Sequence, residues 1–330
     1  MKNLAFKVWL EDDNLTKTGK FFDRFTSQVT QGTFGKSTVP YQLAHPIGKA
    51  GYAHDEMQKH MGHFDDHIAK SIPTFREVQV RKAHAIVRVF GNQPSSIIDI
   101  GGDEGSLNKT VSALSKGNIQ STVLDPNAEM ASFFNSRSQV PGSKFVQKAF
   151  ISGWQDDSGQ QIDSLHADNH LDRYDIAHEN MTFQFINNNR TQHIQEVKRL
   201  LKPNGVLITQ EKLITAPDQW KSNEMLKDRE HKNIYYSADD LAAKQKVVGV
   251  SFQQEKPDPN KVNMVDNMVK QEDFERILSA NFHCVIQFWD AGNFKGYVAS
   301  DNAVLAQRLV MAMGNLNSKF STTSTPRRVK

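Results

Sequence analysis

From Ile97 to Thr209 short apolar runs alternate with helical stretches, and this alternation restricts the fold more than any other feature of the chain. Residues 97–100, 120–124, 144–150, 175–178 and 206–209 read as strands, and 107–116, 128–136 and 189–201 as helices. A strand, a helix and a second strand in succession make a parallel pair through a right-handed crossover. Repeated, the unit gives an α/β fold: a mostly parallel sheet with helices on both faces. Upstream, a helix is expected over 54–70 and another over 75–90, the second broken by Asn92-Gln93-Pro94. Downstream, 221–246 reads as a helical lid and 268–280 as a further helix. Residues 284–288 and 297–299 read as a terminal antiparallel strand pair, and 304–313 as the last helix.

In an open parallel sheet, ligands sit beyond the carboxyl ends of the strands. The first strand ends in Asp99-Ile100-Gly101-Gly102-Asp103-Glu104-Gly105. A dinucleotide fingerprint starting at Gly101 needs glycine at 103 and 106, where the chain has Asp103 and Ser106. A phosphate loop fails as well, because no Gly-Lys-Ser/Thr follows. The spacing that holds is Asp99-x-Gly101-x-x-x-Gly105, which resembles that of S-adenosylmethionine (SAM) methyltransferases. Glycine lets the backbone approach the amino-acid tail of such a cofactor. Asp99 can order the cofactor's ammonium through charge-assisted hydrogen bonds, directly or through water. The second strand ends at Asp125, an acid placed to accept hydrogen bonds from ribose hydroxyls. Asp103 stands where many methyltransferases have glycine. It is expected to cap the following helix, so Asp103→Asn should leave cofactor affinity nearly unchanged.

Residues 179–213 extend the resemblance to the class I SAM methyltransferases, a Rossmann-like fold, and more closely to the carboxy-SAM synthase family of tRNA wobble-uridine modification. The residues that carry it are Asn180-Met181-Thr182-Phe183-Gln184-Phe185, Leu201-Lys202-Pro203-Asn204-Gly205 and Gln210-Glu211-Lys212, with Phe64 to Phe75 upstream. The resemblance implies that Asp99, Gly101, Gly102 and Gly105 hold the methionine part, and Asp125 with Pro126 the ribose. Met130 and Phe150 pack the adenine, and Asn180 with Met181 lies beside the sulfonium. Asn180 and Tyr236 are the expected catalytic residues. Beside them, His178, Glu179 and Tyr235 are candidates with a stronger structural reading. The carboxy-SAM family places a Lys-Arg pair just before its Met-Leu-Glu-Asn run, where this chain has Lys244-Gln245, an insertion and Lys261. Lysine does not reproduce the bidentate fork of arginine. Plain SAM is therefore the expected cofactor, with methyl transfer to a small-molecule or RNA-linked acceptor. A carboxy-SAM synthase-like enzyme and a non-catalytic assembly or binding protein stay open as alternatives.

Other classes are disfavoured. The chain has 40 basic and 37 acidic residues, so nothing suggests a polycationic nucleic-acid binder. One cysteine, Cys284, excludes a disulfide framework and fits a reducing, cytoplasmic setting. It also lies too late in the chain for the nucleophile of a cytosine-C5 enzyme. No apolar stretch is long enough to cross a membrane. Amino-directed DNA methyltransferases carry Asn/Asp-Pro-Pro-aromatic, and Asn180-Met181-Thr182-Phe183 departs from it. His60, His63 and His67 share one helix face, where a polar surface is preferred to a metal site, and no metal is expected. The expected organisation is an N-terminal arm over 1–53, serving self-association or merely extending the chain. A SAM-binding domain follows over 54–300, then a C-terminal helix and a solvated basic tail over 301–330.

Overall fold

The computed structural model describes residues 18–19, 68, 71–126, 128–136, 139–151, 165, 173–186, 188–239, 267–317 and 320–330. The histidine face at 60–67, nearly all of the arm and of the 155–173 insertion, and Lys244, Gln245 and Lys261 lie outside these residues.

The alternation becomes helix α1 (Phe75–Phe90), strand β1 (Ser95–Ile100), α2 (Ser106–Leu114), β2 (Ile119–Leu124), α3 (Ala128–Ser136), β3 (Ser143–Val146) and β4 (Tyr174–Asn180). A single turn, α4 (Phe183–Ile186), leads into α5 (Arg190–Leu200) and the long β5 (Leu201–Lys212). Asn189 caps α5, its side chain accepting from the Gln192 N–H. After β5 come α6 (Pro217–Glu230), a short 3-10 turn (Lys232–Ile234) and α7 (Gln271–Asn281). The hairpin β6 (Cys284–Ala291) and β7 (Phe294–Ser300), α8 (Ala303–Met313) and the two-residue strands β8 (Leu316–Asn317) and β9 (Arg327–Arg328) complete the chain.

The sheet runs β3-β2-β1-β4-β5-β7-β6-β8, with β9 paired to β6. Strands β1 to β5 are mutually parallel, and β7 is antiparallel to both β5 and β6. This is the Rossmann-like α/β arrangement expected, with the turn after β1 at the point where strand order reverses. Side chains alternate across each strand. Ile97, Ile176, Val206 and Ile208 pack on the α1 and α8 face. Ile98, Ala177, Leu207 and Tyr297 pack on the α5 and α7 face. Each fully buried aliphatic chain contributes about 1.5–3 kcal/mol. Among the described residues no helix is long and apolar enough to cross a membrane.

The expected lid over 221–246 is described only as far as 239, and one other expectation needs correction. The lid helix starts at Pro217 and stops at Glu230, where Lys232–Ile234 tightens into a 3-10 turn. Residues 240–266 lie outside the described chain. The C-terminal tail is not free in solvent, although Ser324, Pro326, Arg328 and Lys330 stay exposed. It docks along β6, covering an edge that would otherwise present unpaired backbone groups. Buried Asp290 pairs with Lys295 at 2.8 Å. Its Oδ2 also accepts from the Thr322 hydroxyl and from both the N–H and hydroxyl of Thr323. Arg327 donates to Gln287, and the Val329 N–H to the Val285 carbonyl. The Ser/Thr content that suggests a mobile tail instead serves one buried carboxylate. Deleting 320–330 should cost about 2–3 kcal/mol, since hydrogen bonds to a charged group are lost. Urea unfolding measures the loss, and light scattering should show association through the bared edge.

Candidate cofactor site at the carboxyl ends of the strands

The parallel register brings the ends of β1, β2 and β4 side by side. The Gly101 N–H donates to the Leu124 carbonyl at 2.7 Å, Asp125 N–H to Val146 at 3.2 Å and Met181 N–H to Gln210 at 2.7 Å. Each loop therefore leaves the sheet from a fixed point. Gly101 has φ +64°, and a Cβ there would lie 2.3 Å from the Thr182 side chain. The turn after β1 thus packs on the end of β4 only if residue 101 has no side chain. At Gly102 a Cβ would lie 2.8 Å from Cγ of Asp99. The carboxyl group of Asp99 sits directly beneath this bare stretch of backbone.

Gly105 occupies the N-cap of α2 and has no side chain with which to cap it. Asp103 lies two positions earlier in the same turn, with φ +48°.

Alternation sorts the polar residues at the strand ends into two clusters, one on each face of the sheet. On the α1 face, Asp99 Oδ1 meets His178 Nδ1 at 2.6 Å. His178 Nε2 lies 2.6 Å from the Lys82 ammonium, which also donates to Gln210 Oε1. Asp99 is 3% exposed, His178 2% and Lys82 0%. Burial lowers the Lys82 pKa to about 7, opposed by Asp99 and Glu179. Burial also lowers that of His178.

On the opposite face, Glu179 accepts from the Thr182 and Phe183 N–H groups and from the Thr209 hydroxyl. Arg190 pairs with Glu211 at 3.3 Å and donates to the Asn267 carbonyl. Burial raises Glu211 to about 7, opposed by Arg190. Burial, then the charge of Glu211, holds Glu179 well above the usual carboxylate range. These contacts fold the Asn180–Phe183 segment back over the end of β4.

The cofactor residues expected from sequence divide by location. Asp125 and Pro126 stand half-buried at the end of β2. Asn180 closes β4, and its Oδ1 is buried with no hydrogen-bond partner among the described residues. Met181 and Met130 are buried, Met130 on α3. Phe150 is buried as well, its ring 5.8 Å from Phe183 and 6.5 Å from His193. Tyr236 follows the 3-10 turn beyond α6, and its N–H donates to the Lys232 carbonyl. It is held on a different element from Asn180. Tyr235 is half-exposed, whereas His178 and Glu179 are built into the interior. Lys82, Gln210, Arg190 and Glu211 were not expected at the site. Gln210 and Glu211 belong to the Gln210-Glu211-Lys212 run that carried the resemblance, whereas Lys82 on α1 and Arg190 on α5 had no sequence signal.

His193 offers a direct check on the aromatic cluster. Neither ring nitrogen has a hydrogen-bond partner among the described residues. Burial, then the Arg190 charge, lowers its pKa from 6.5 to about 3. A depressed value means that the fold takes up the proton less readily than the unfolded chain. This contribution to stability is whole above pH 6.5 and is lost as pH falls toward about 3. His193→Phe should therefore resist acid better than the wild type, read by circular dichroism between these limits. A variant that unfolds at the same pH would contradict the assignment.

A family model described as a methyltransferase domain matches residues 75–249. No curated protein matches the chain. Among solved structures, the chain is similar to an O-methyltransferase family protein from Burkholderia thailandensis, at 11% identity and TM-score 0.45 over 87% of this chain and 71% of that one. It is similar to the CurJ carbon methyltransferase at 14% identity and TM-score 0.45, over 90% and 70%. It is also similar to human N-acetylserotonin methyltransferase in complex with SAM, at 14% identity and TM-score 0.39, over 77% and 71%. The family assignment rests on the matching family model and not on these distant likenesses.

Proposed function

The chain belongs to the methyltransferase domain family, and from that premise we propose that it transfers a methyl group from SAM to a small-molecule or RNA-linked acceptor by in-line displacement. SAM supplies an electrophilic methyl carbon on a sulfonium, so positioning and exclusion of water dominate catalysis. The observation that carries the reading is the set of acceptor groups at adjoining strand ends. These are the carboxylates of Asp99 and Asp125 and the unpartnered Oδ1 of Asn180, beside a turn with no side chain at Gly101 or Gly102. SAM presents donors that suit them, an ammonium and two ribose hydroxyls.

In this reading the backbone of Gly101, Gly102 and Gly105 takes the amino-acid tail, and the charge of Asp99 favours its ammonium. Asp125 takes the ribose, with Pro126 beside it. Met130 and Phe150 provide apolar packing for the adenine. Asn180 Oδ1 lies beside the sulfonium with Met181, and Tyr236 bounds the acceptor side. A specific base is not required when the acceptor is already nucleophilic. Apart from the site, the single cysteine suits a reducing, cytoplasmic setting, and self-association through arm 1–53 is part of the proposal.

Mass spectrometry of ligand released from the purified protein tests the cofactor assignment. SAM or its demethylated product is expected. Recovery of carboxy-SAM would move the assignment to carboxyl-transfer chemistry, in line with residues 180–185 and 210–212. A protein that neither carries nor binds either cofactor would contradict both.

A further inference from the structure

We propose that Lys82 is a positioning residue: through His178 it keeps the negative charge of Asp99 uncancelled beneath the Gly101-Gly102 turn, and so sets the affinity of the site for its cationic cofactor. The inference rests on the SAM reading above. It concerns a residue on α1, outside the turn and outside all three strand-end loops.

The geometry is a buried relay across three strands and one helix. Asp99 and His178 are direct partners in the β1–β4 register. His178 Nδ1 lies 2.6 Å from Asp99 Oδ1, and its Nε2 lies 2.6 Å from Lys82 Nζ. When Lys82 is charged its ammonium only donates, so Nε2 accepts and Nδ1 carries the ring's single proton to Asp99. Gln210 Oε1 on β5 accepts a further hydrogen bond from Lys82 and fixes the direction of the ammonium.

Consider the relay without Lys82. Nε2 would then be free to bind a proton, and His178 would become an imidazolium in contact with Asp99. The carboxylate would be neutralised at 2.6 Å, and less of its field would reach an ammonium in the turn. With Lys82 in place the second cation is excluded from that position. The charges around the pair agree with this. Lys82 lowers the proton affinity of His178 and Asp99 raises it, while burial acts with Lys82 and is the largest influence. Asp99 and Glu179 are the acids that favour the charge on Lys82 itself.

The test combines two readouts on Lys82→Met. The first is the ring 15N signature of His178, recorded on full-length protein without ligand at a pH below about 7, where Lys82 is charged. The wild type is expected to show a neutral ring protonated at Nδ1, and the variant a doubly protonated ring. The second is calorimetric affinity for SAM, expected to weaken about tenfold, the low end for a hydrogen bond to a charged group. Asparagine can place an amide N–H near the position of Nδ1 but cannot take up a proton. Adding His178→Asn to Lys82→Met should therefore restore most of the affinity. A ring that stays neutral in Lys82→Met, or a double variant as weak as the single, would overturn the inference. A wild type that binds no SAM would overturn the reading beneath it, and the ring signature would still report whether Lys82 keeps His178 neutral.

Discussion

Asp99→Ala is expected to abolish SAM binding in a calorimetric titration and to cost the fold about 3–5 kcal/mol, the loss typical of removing one partner from a buried charged pair. Both effects share one cause. Asp99 is the only carboxylate hydrogen-bonded to His178 among the described contacts, and the Lys82 ammonium stands just behind the ring. Without the acid, a buried cation keeps its desolvation penalty and loses a compensating charge. The pH dependence follows from Lys82. Its folded value, about 7 against 10.5, already means that stability is lost as pH falls through that interval. Removing Asp99 lowers the value further, so the gap between variant and wild type should widen as pH falls below about 7. Urea unfolding at several pH values measures this. Asp99→Asn separates the two effects, since it keeps the shape and some hydrogen bonding while losing the charge. It should retain more stability than Asp99→Ala and still bind SAM poorly.

The second large effect is expected on the other face of the sheet. Arg190→Met should cost about 3–5 kcal/mol, because Arg190 is the cation paired with buried Glu211 and also moderates Glu179. Glu211 has a folded value of about 7, above the usual 4.5, so its contribution is whole below pH 4.5 and is lost as pH rises through about 7. Without Arg190 the folded value moves higher. The gap from wild type should therefore widen above about pH 7, the reverse of the Asp99 case. The paired variants give opposite slopes from clusters one residue apart along β4. Equal slopes would mean that alternation has not sorted the two clusters as described.

Much of the fold was legible because period-2 and period-3.6 patterns are local. Phe75–Phe90 is helical over the span its apolar positions mark, and β1, β2 and β4 lie where the apolar runs lie. The Asp99-to-Gly105 spacing and Asp125 were legible for the same reason, since each belongs to one strand end. The relay was not, because Lys82, Asp99, His178 and Gln210 meet only after four elements assemble. A lysine on α1 reads as a surface residue until α1 is laid on the sheet. The tail was misread because its partners are remote. Thr322 and Thr323 gain order from Asp290, more than thirty positions upstream.

The central claim is that the ends of β1, β2 and β4 form a SAM site. Isothermal titration of the demethylated product into the wild-type protein, with Gly101→Val as control, tests it most directly. The account predicts one saturable site in the wild type and none in the variant, where the new side chain would meet Thr182. A folded wild type that gives neither heat of binding nor a thermal shift with SAM or its product would contradict it.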